Sequence, residues 1–137
     1  MRSALLIGDE PLTLDDVLSL ARGDRRPALA TAALARMAAS HAVMSRELAR
    51  GAPVYGVTTG VGASVDVAVS LEDAAEFSAS LMRMHRCGTG RILSELEAAA
   101  VLAVRLSSLA RGASGVRPVV AETLAQLLDR RVLPAIP

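Results

Sequence analysis

The sequence predicts a mainly α-helical fold with a short β-strand or hairpin near the N-terminus. Three observations carry that prediction. Hydrophobic residues make up 52% of the chain but aromatic residues only 1%, so the core must be Ala, Leu and Val, which suits closely packed helices better than a β-sandwich. Helix-start chemistry recurs: Thr13 before Asp15 and Asp16, Ser94 three residues before Glu97, and Pro118 ahead of an apolar run. Gly23, Gly51 and Gly112 each stand where a periodic stretch stops. At 137 residues the chain is one domain's worth, enough to bury most of a core.

Taken in order, Leu5 to Ile7 is a brief apolar strand that ends at Gly8-Asp9 and is broken by Pro11. Thr13 caps a first helix running to about Arg22, with acids in its first turn where the helix dipole favours them. Pro27 is expected to open a second, Ala-rich helix reaching about Arg50; His41 within it reads as a structural or exposed histidine. Ala63 to Ser70 reads as loop. Ser70 with Asp73 resembles a helix N-terminus, and a helix is predicted from about Leu71 to Arg86. Ser94 and Glu97 form a capping box for a helix from about Glu95 to Arg111, which Gly112 terminates. Pro118 serves as the first residue of a last helix to about Arg130.

The helix after Ser94 is apolar on nearly all sides from Ala98 to Ala110. Such a helix must be enclosed on all sides, which five or so helices can scarcely do. The chain is therefore expected to be part of something larger. The apolar ending VLPAIP, with two prolines and no polar tail, points the same way.

Composition excludes several function classes. Fifteen basic residues, all arginine, nearly cancel fourteen acids, so no basic surface for nucleic acid is expected. No run approaches the ~18 apolar residues of a membrane span, and MRSALLIGD is too short and too soon acidic for a secretory signal. A soluble cytoplasmic protein is the default expectation. One cysteine, Cys87, excludes an internal disulfide. No metal site is expected, because His41, His85 and Cys87 fall short of the four ligands of structural zinc.

The stretch VYGVTTGVG, Val54–Gly62, fits neither a helix nor a strand period. It holds the only tyrosine, Tyr55, among Gly56, Gly60 and Gly62. An ordinary surface turn is one reading. A lone aromatic in so aromatic-poor a chain favours another: a loop that presents a phenol. Neither GxxxxGK[ST] nor GxGxxG is present, so phosphate-binding amides are not indicated. His85 follows Ala74, Ser78 and Leu81 at spacings of four, three and four, inside an apolar stripe. It is either a satisfied core histidine or, at a helix end beside the loop Cys87-Gly88-Thr89-Gly90, part of a site. Cys87 would be a nucleophile only beside a base, and a buried, inert thiol is the expectation.

Four stretches, in order, resemble the N-terminal segment of the aromatic amino acid ammonia-lyases and related aminomutases: VYGVTTGVG, LMRMHRCGTG (Leu81–Gly90), RLSSLARGASGVRP (Arg105–Pro118) and VLPAIP (Val132–Pro137). The resemblance covers about Pro53 to the end, and more faintly from Leu5. It implies that residues 1–137 are the N-terminal part of a long-helix bundle forming a homotetramer. It also implies elimination of ammonia from an aromatic amino acid, histidine favoured and then tyrosine or phenylalanine, to give the α,β-unsaturated acid. The alternatives are an aminomutase giving a β-amino acid, or a non-catalytic helical module that associates with full-length subunits.

By position, Tyr55 resembles the loop tyrosine that acts as base, and Gly62 the glycine closing that loop. His85 falls where the family reads the substrate side chain; Met84 beside it departs from the usual serine, and Arg86 from a small residue. The family's electrophile is 4-methylidene-imidazole-5-one (MIO), made from an Ala-Ser-Gly tripeptide. Ala113-Ser114-Gly115 has that composition but lies in RGASGVRP, where the family carries a structural turn. The electrophile's tripeptide is expected beyond residue 137, so this chain alone is expected to be inactive.

Overall fold

A computed structural model describes residues 2–137. The element order is β1 (Ala4–Ile7), α1 (Leu14–Arg22), β2 (Arg26–Leu29), α2 (Thr31–Ala49), a short 3₁₀ turn (Gly62–Ser64), α3 (Ala74–Met84), α4 (Glu95–Ala110) and α5 (Pro118–Asp129). The mainly helical expectation holds. The strand near the N-terminus is present, and its partner makes a parallel pair rather than a hairpin: Leu5 lies opposite Pro27 and Ile7 opposite Leu29, with α1 as the crossover. Among the described residues, no helix is long and apolar enough to cross a membrane.

The chain forms two compact units: the N-terminal residues to Ala42 together with Gly90–Pro137, and Val43–Thr89. In the first, α4 packs against α1 and α5, and α5 lies on β2. Ile7, Leu20, Met37, Leu106 and Leu128 are fully buried at its centre, with Ala33, Ala103 and Ala110 letting backbones approach closely. Burying one such leucine contributes roughly 1.5–3 kcal/mol.

Local chemistry sets the ends of these helices. The Thr13 hydroxyl accepts from the Asp16 amide at 3.1 Å while the Asp16 carboxylate accepts from the Thr13 amide at 3.0 Å. Ser94 and Glu97 repeat that reciprocal box at the start of α4 (3.3 and 2.8 Å). Arg91 donates to the same carboxylate at 2.8 Å. These contacts, the Arg91 bond foremost and then those from Ser94, hold the Glu97 carboxyl down at about 2. Gly23 and Gly112 close α1 and α4 in the left-handed region, at φ +79° and +76°.

Pro27 does not open a helix. It sits in β2, and α2 begins at Thr31. The Arg26 and Ala30 amides donate to Ser3 and Ile7 at 3.0 Å, so with period two residue 27 turns its nitrogen away from β1. Proline's missing N–H costs nothing there. The third helix is shorter than predicted: the Ser70–Asp73 pair forms, but as a turn ahead of the helix, which starts at Ala74. On α4, Val101 and Val104 remain 45% and 55% exposed, so the all-round apolar helix is covered on one side only. With Ala100, Arg105 and Ser108 they line an open apolar surface.

Candidate functional site

The second unit holds Tyr55, His85, Met84 and the three loop glycines. Its loop is tied by its own threonines. The Thr58 hydroxyl accepts from the Val54 amide at 2.8 Å, and the Thr59 hydroxyl accepts from the Gly56 amide at 3.3 Å. Thr59 pairs antiparallel with Ala68, and the Gly60 amide donates to Val67 at 2.8 Å. A side chain on Gly60 would collide with the Ser64 carbonyl, so the loop closes this tightly only with glycine there.

That closure aims the phenol. Tyr55 is 64% exposed, so it is not a core aromatic. The Gly62 N–H donates to its oxygen at 3.1 Å. Gly62 adopts φ +57°, and a Cβ there would meet nothing within 4 Å, so the backbone conformation rather than space calls for glycine. The contact fixes where the ring's oxygen sits and supplies it with a hydrogen-bond donor.

Tyr55 and His85 line one open, mostly apolar cleft of about 360 Å³ with Val61, Leu81 and Met82. Met84 is not among its walls; it is 70% exposed elsewhere on α3. His85 is the C-cap residue that follows α3 and is exposed, so of its two readings the satisfied core histidine does not hold. No residue of α3 is fully buried, and the helix ends at Met84, so the stripe does not enclose His85. His85 Nδ1 lies 2.9 Å from the Leu81 carbonyl. A carbonyl can only accept, so Nδ1 carries the proton and Nε2 is the uncommitted nitrogen. Cys87 is exposed rather than buried, its Sγ turned back to 3.7 Å from the Met84 carbonyl.

Leu81 was legible as an apolar neighbour of His85, one turn back. Val61 and Met82 carried no signal that placed them with Tyr55, because the loop's fold decides it. A separate cleft of about 400 Å³ in the first unit is lined by Asp9, Glu10, Arg36 and Arg111. Arg36 there is committed to the Gly8 and Ala110 carbonyls and holds the fold.

The Ala113-Ser114-Gly115 turn also lies in the first unit. An imidazolone from such a tripeptide takes the third residue's amide nitrogen into its ring. The Gly115 amide instead donates to the Ser40 hydroxyl at 3.1 Å, and its carbonyl meets His41 Nδ1 at 2.9 Å. These residues do not fit the electrophile; they pin a turn onto α2.

The chain is 35% identical over 137 residues to a histidine ammonia-lyase of Caldanaerobacter subterraneus subsp. tengcongensis, covering 100% of this chain and 27% of that one. It is 34% identical over 131 residues to an MIO-dependent tyrosine 2,3-aminomutase of Streptomyces globisporus, covering 96% and 24%. The crystal structure of the tyrosine aminomutase from Streptomyces globisporus superposes with a TM-score of 0.92 at 33% identity, covering 100% of this chain and 26% of that one. The chain thus spans about a quarter of the length of these relatives. The aromatic amino acid lyase family itself matches residues 12–137, and the chain belongs to that family.

Proposed function

We propose that this chain supplies the proton-abstracting loop of an ammonia-lyase acting on an aromatic amino acid. Tyr55, as phenolate, takes a proton from the substrate's β-carbon. Ammonia then leaves, and the α,β-unsaturated acid remains. The observation that carries this reading is the exposed phenol, its oxygen held by the Gly62 amide, on the wall of a cleft shared with His85. The Gly62 amide gives that oxygen a hydrogen-bond donor, which a base at this position can use. An MIO group, where present, supplies the electron-poor centre that the substrate amine adds to. It is not made from Ala113-Ser114-Gly115, so the rest of the site lies outside these residues, in a homotetrameric, cytoplasmic assembly.

His85 supports histidine as the favoured substrate, then tyrosine, then phenylalanine. Its free Nε2 suits a side chain that offers an N–H or O–H, which a phenyl ring lacks. A β-amino acid product is the second reading, favoured by the 33% identity and 0.92 TM-score to the tyrosine aminomutase. In the active protein that contains this chain, Tyr55→Phe should cut turnover by about 10²–10⁴. Circular dichroism should stay unchanged, because only one exposed hydrogen bond is lost. Near-normal turnover of that variant would refute the assignment.

A further inference from the structure

Tyr55 stands between two peptide amides, and a threonine hydroxyl from further along the loop binds each of them. The Val54 N–H, one residue before the tyrosine, donates to Thr58 Oγ1 at 2.8 Å. The Gly56 N–H, one residue after it, donates to Thr59 Oγ1 at 3.3 Å. The Thr59 hydroxyl in turn donates to the Gly60 carbonyl at 3.0 Å. The threonines are themselves anchored through their backbone. The Val69 amide donates to the Thr58 carbonyl at 2.9 Å, the Gly60 amide donates to the Val67 carbonyl at 2.8 Å, and Thr59 pairs with Ala68 between them. Both threonines are half-buried, whereas the tyrosine is exposed and gains little direction from packing.

We propose, resting on the reading of Tyr55 as the base, that Thr58 and Thr59 are its positioning residues. Their hydroxyls carry the fixed pairing of residues 58–60 with 67–69 to the two peptides that flank the phenol. The two flanks differ. The Val54 carbonyl also accepts from the Val57 and Thr58 amides, at 3.0 and 2.9 Å, so the residue before the tyrosine has backbone support. Gly56, at φ +69°, has the freedom of a glycine, and the Thr59 hydroxyl restrains it. Valine in place of threonine keeps the branched shape and removes the acceptor, leaving a half-buried N–H unpaired and its peptide free to turn. A base displaced by about 1 Å can lose on the order of 10²-fold in rate.

The test is a double-mutant cycle in the active protein that contains this chain, with circular dichroism to check each variant's fold. Thr58→Val and Thr59→Val should each lower kcat by about 10- to 10²-fold and leave KM nearly unchanged. Thr59→Ser keeps the acceptor and should recover most of the loss. Thr59→Val should cost Tyr55→Phe nothing further, because a group already removed cannot be misplaced. Thr123→Val is the control: it removes a hydroxyl that donates to the Val119 carbonyl within α5, at 2.7 Å, and should keep wild-type kcat. If Thr59→Val unfolds, Thr58→Val carries the same cycle. Normal kcat in both valine variants beside a crippled Tyr55→Phe would overturn this inference alone. So would a Thr59→Val loss that multiplies the Tyr55→Phe loss, since that marks a role in structure only. Near-normal turnover of Tyr55→Phe would overturn the base assignment, and this inference with it.

Discussion

Gly23 and Gly112 end α1 and α4 with nearly the same backbone, φ +79° and +76°, inside the same unit. Their surroundings differ. A Cβ at Gly23 would find its nearest atoms at 3.8 and 3.9 Å, in side chains of Arg2 and Arg131 that can yield. A Cβ at Gly112 would stand 2.7 Å from Arg36 Cβ, 3.0 Å from its carbonyl carbon and 3.1 Å from the Met37 nitrogen. Those are atoms of α2 near its backbone, held by the buried Met37 and Ala33. Gly23→Ala should therefore cost only the left-handed conformation, about 1–2 kcal/mol. Gly112→Ala should cost that and about 1–3 kcal/mol more for forcing α2 aside. Urea unfolding of both variants followed by circular dichroism measures the difference, with the denaturant slope checked for constancy. Equal losses, or a larger loss at Gly23, would refute the claim that close packing against α2 is what the RGASGVRP turn requires.

Three further outcomes are expected. Glu97 is held at about 2 against an ordinary 4.5, first by Arg91 and then by Ser94. A depressed carboxyl contributes stability above its unfolded value and loses it as pH falls toward the folded one, so wild type should weaken from about pH 4.5 down to about pH 2. Glu97→Gln should flatten that window, and superimposable acid-unfolding curves would contradict it. In the active protein, His85→Leu should shift the kcat/KM ratio of tyrosine to phenylalanine toward phenylalanine by at least about tenfold, the worth of one hydrogen bond to a buried partner; an unchanged ratio removes His85 from the specificity cleft. Ser114→Ala should leave the electrophile's ultraviolet absorbance intact, and its loss would show that this tripeptide does cyclise.

The parts of the fold legible in the sequence are those settled within a few residues. Thr13 with Asp16 and Ser94 with Glu97 cap their helices through side chains three positions apart, and Pro118 and Gly112 act through their own dihedrals. β2 was not legible because its strand character comes from β1, more than twenty residues away. Pro27 alone suits a helix start as well as an edge strand. Burial was the harder reading. Periodicity placed His85 on a stripe but could not say that α3 would stop at Met84, and it could not say which side of α4 would stay uncovered. At the site, the glycines and the solitary tyrosine marked the loop, and the four resembling stretches marked its family. The Gly62-to-phenol bond and the shared cleft with His85 required the loop's folded path.

The account depends most on Tyr55 moving a proton to and from carbon. Its most direct test is deuterium uptake in heavy water, with the active protein running in reverse on ammonia and the unsaturated acid. Wild type should place deuterium at the β-carbon of the recovered amino acid, and Tyr55→Phe should place almost none there. Wild-type rates of β-deuteration in the variant would mean that another group carries the proton.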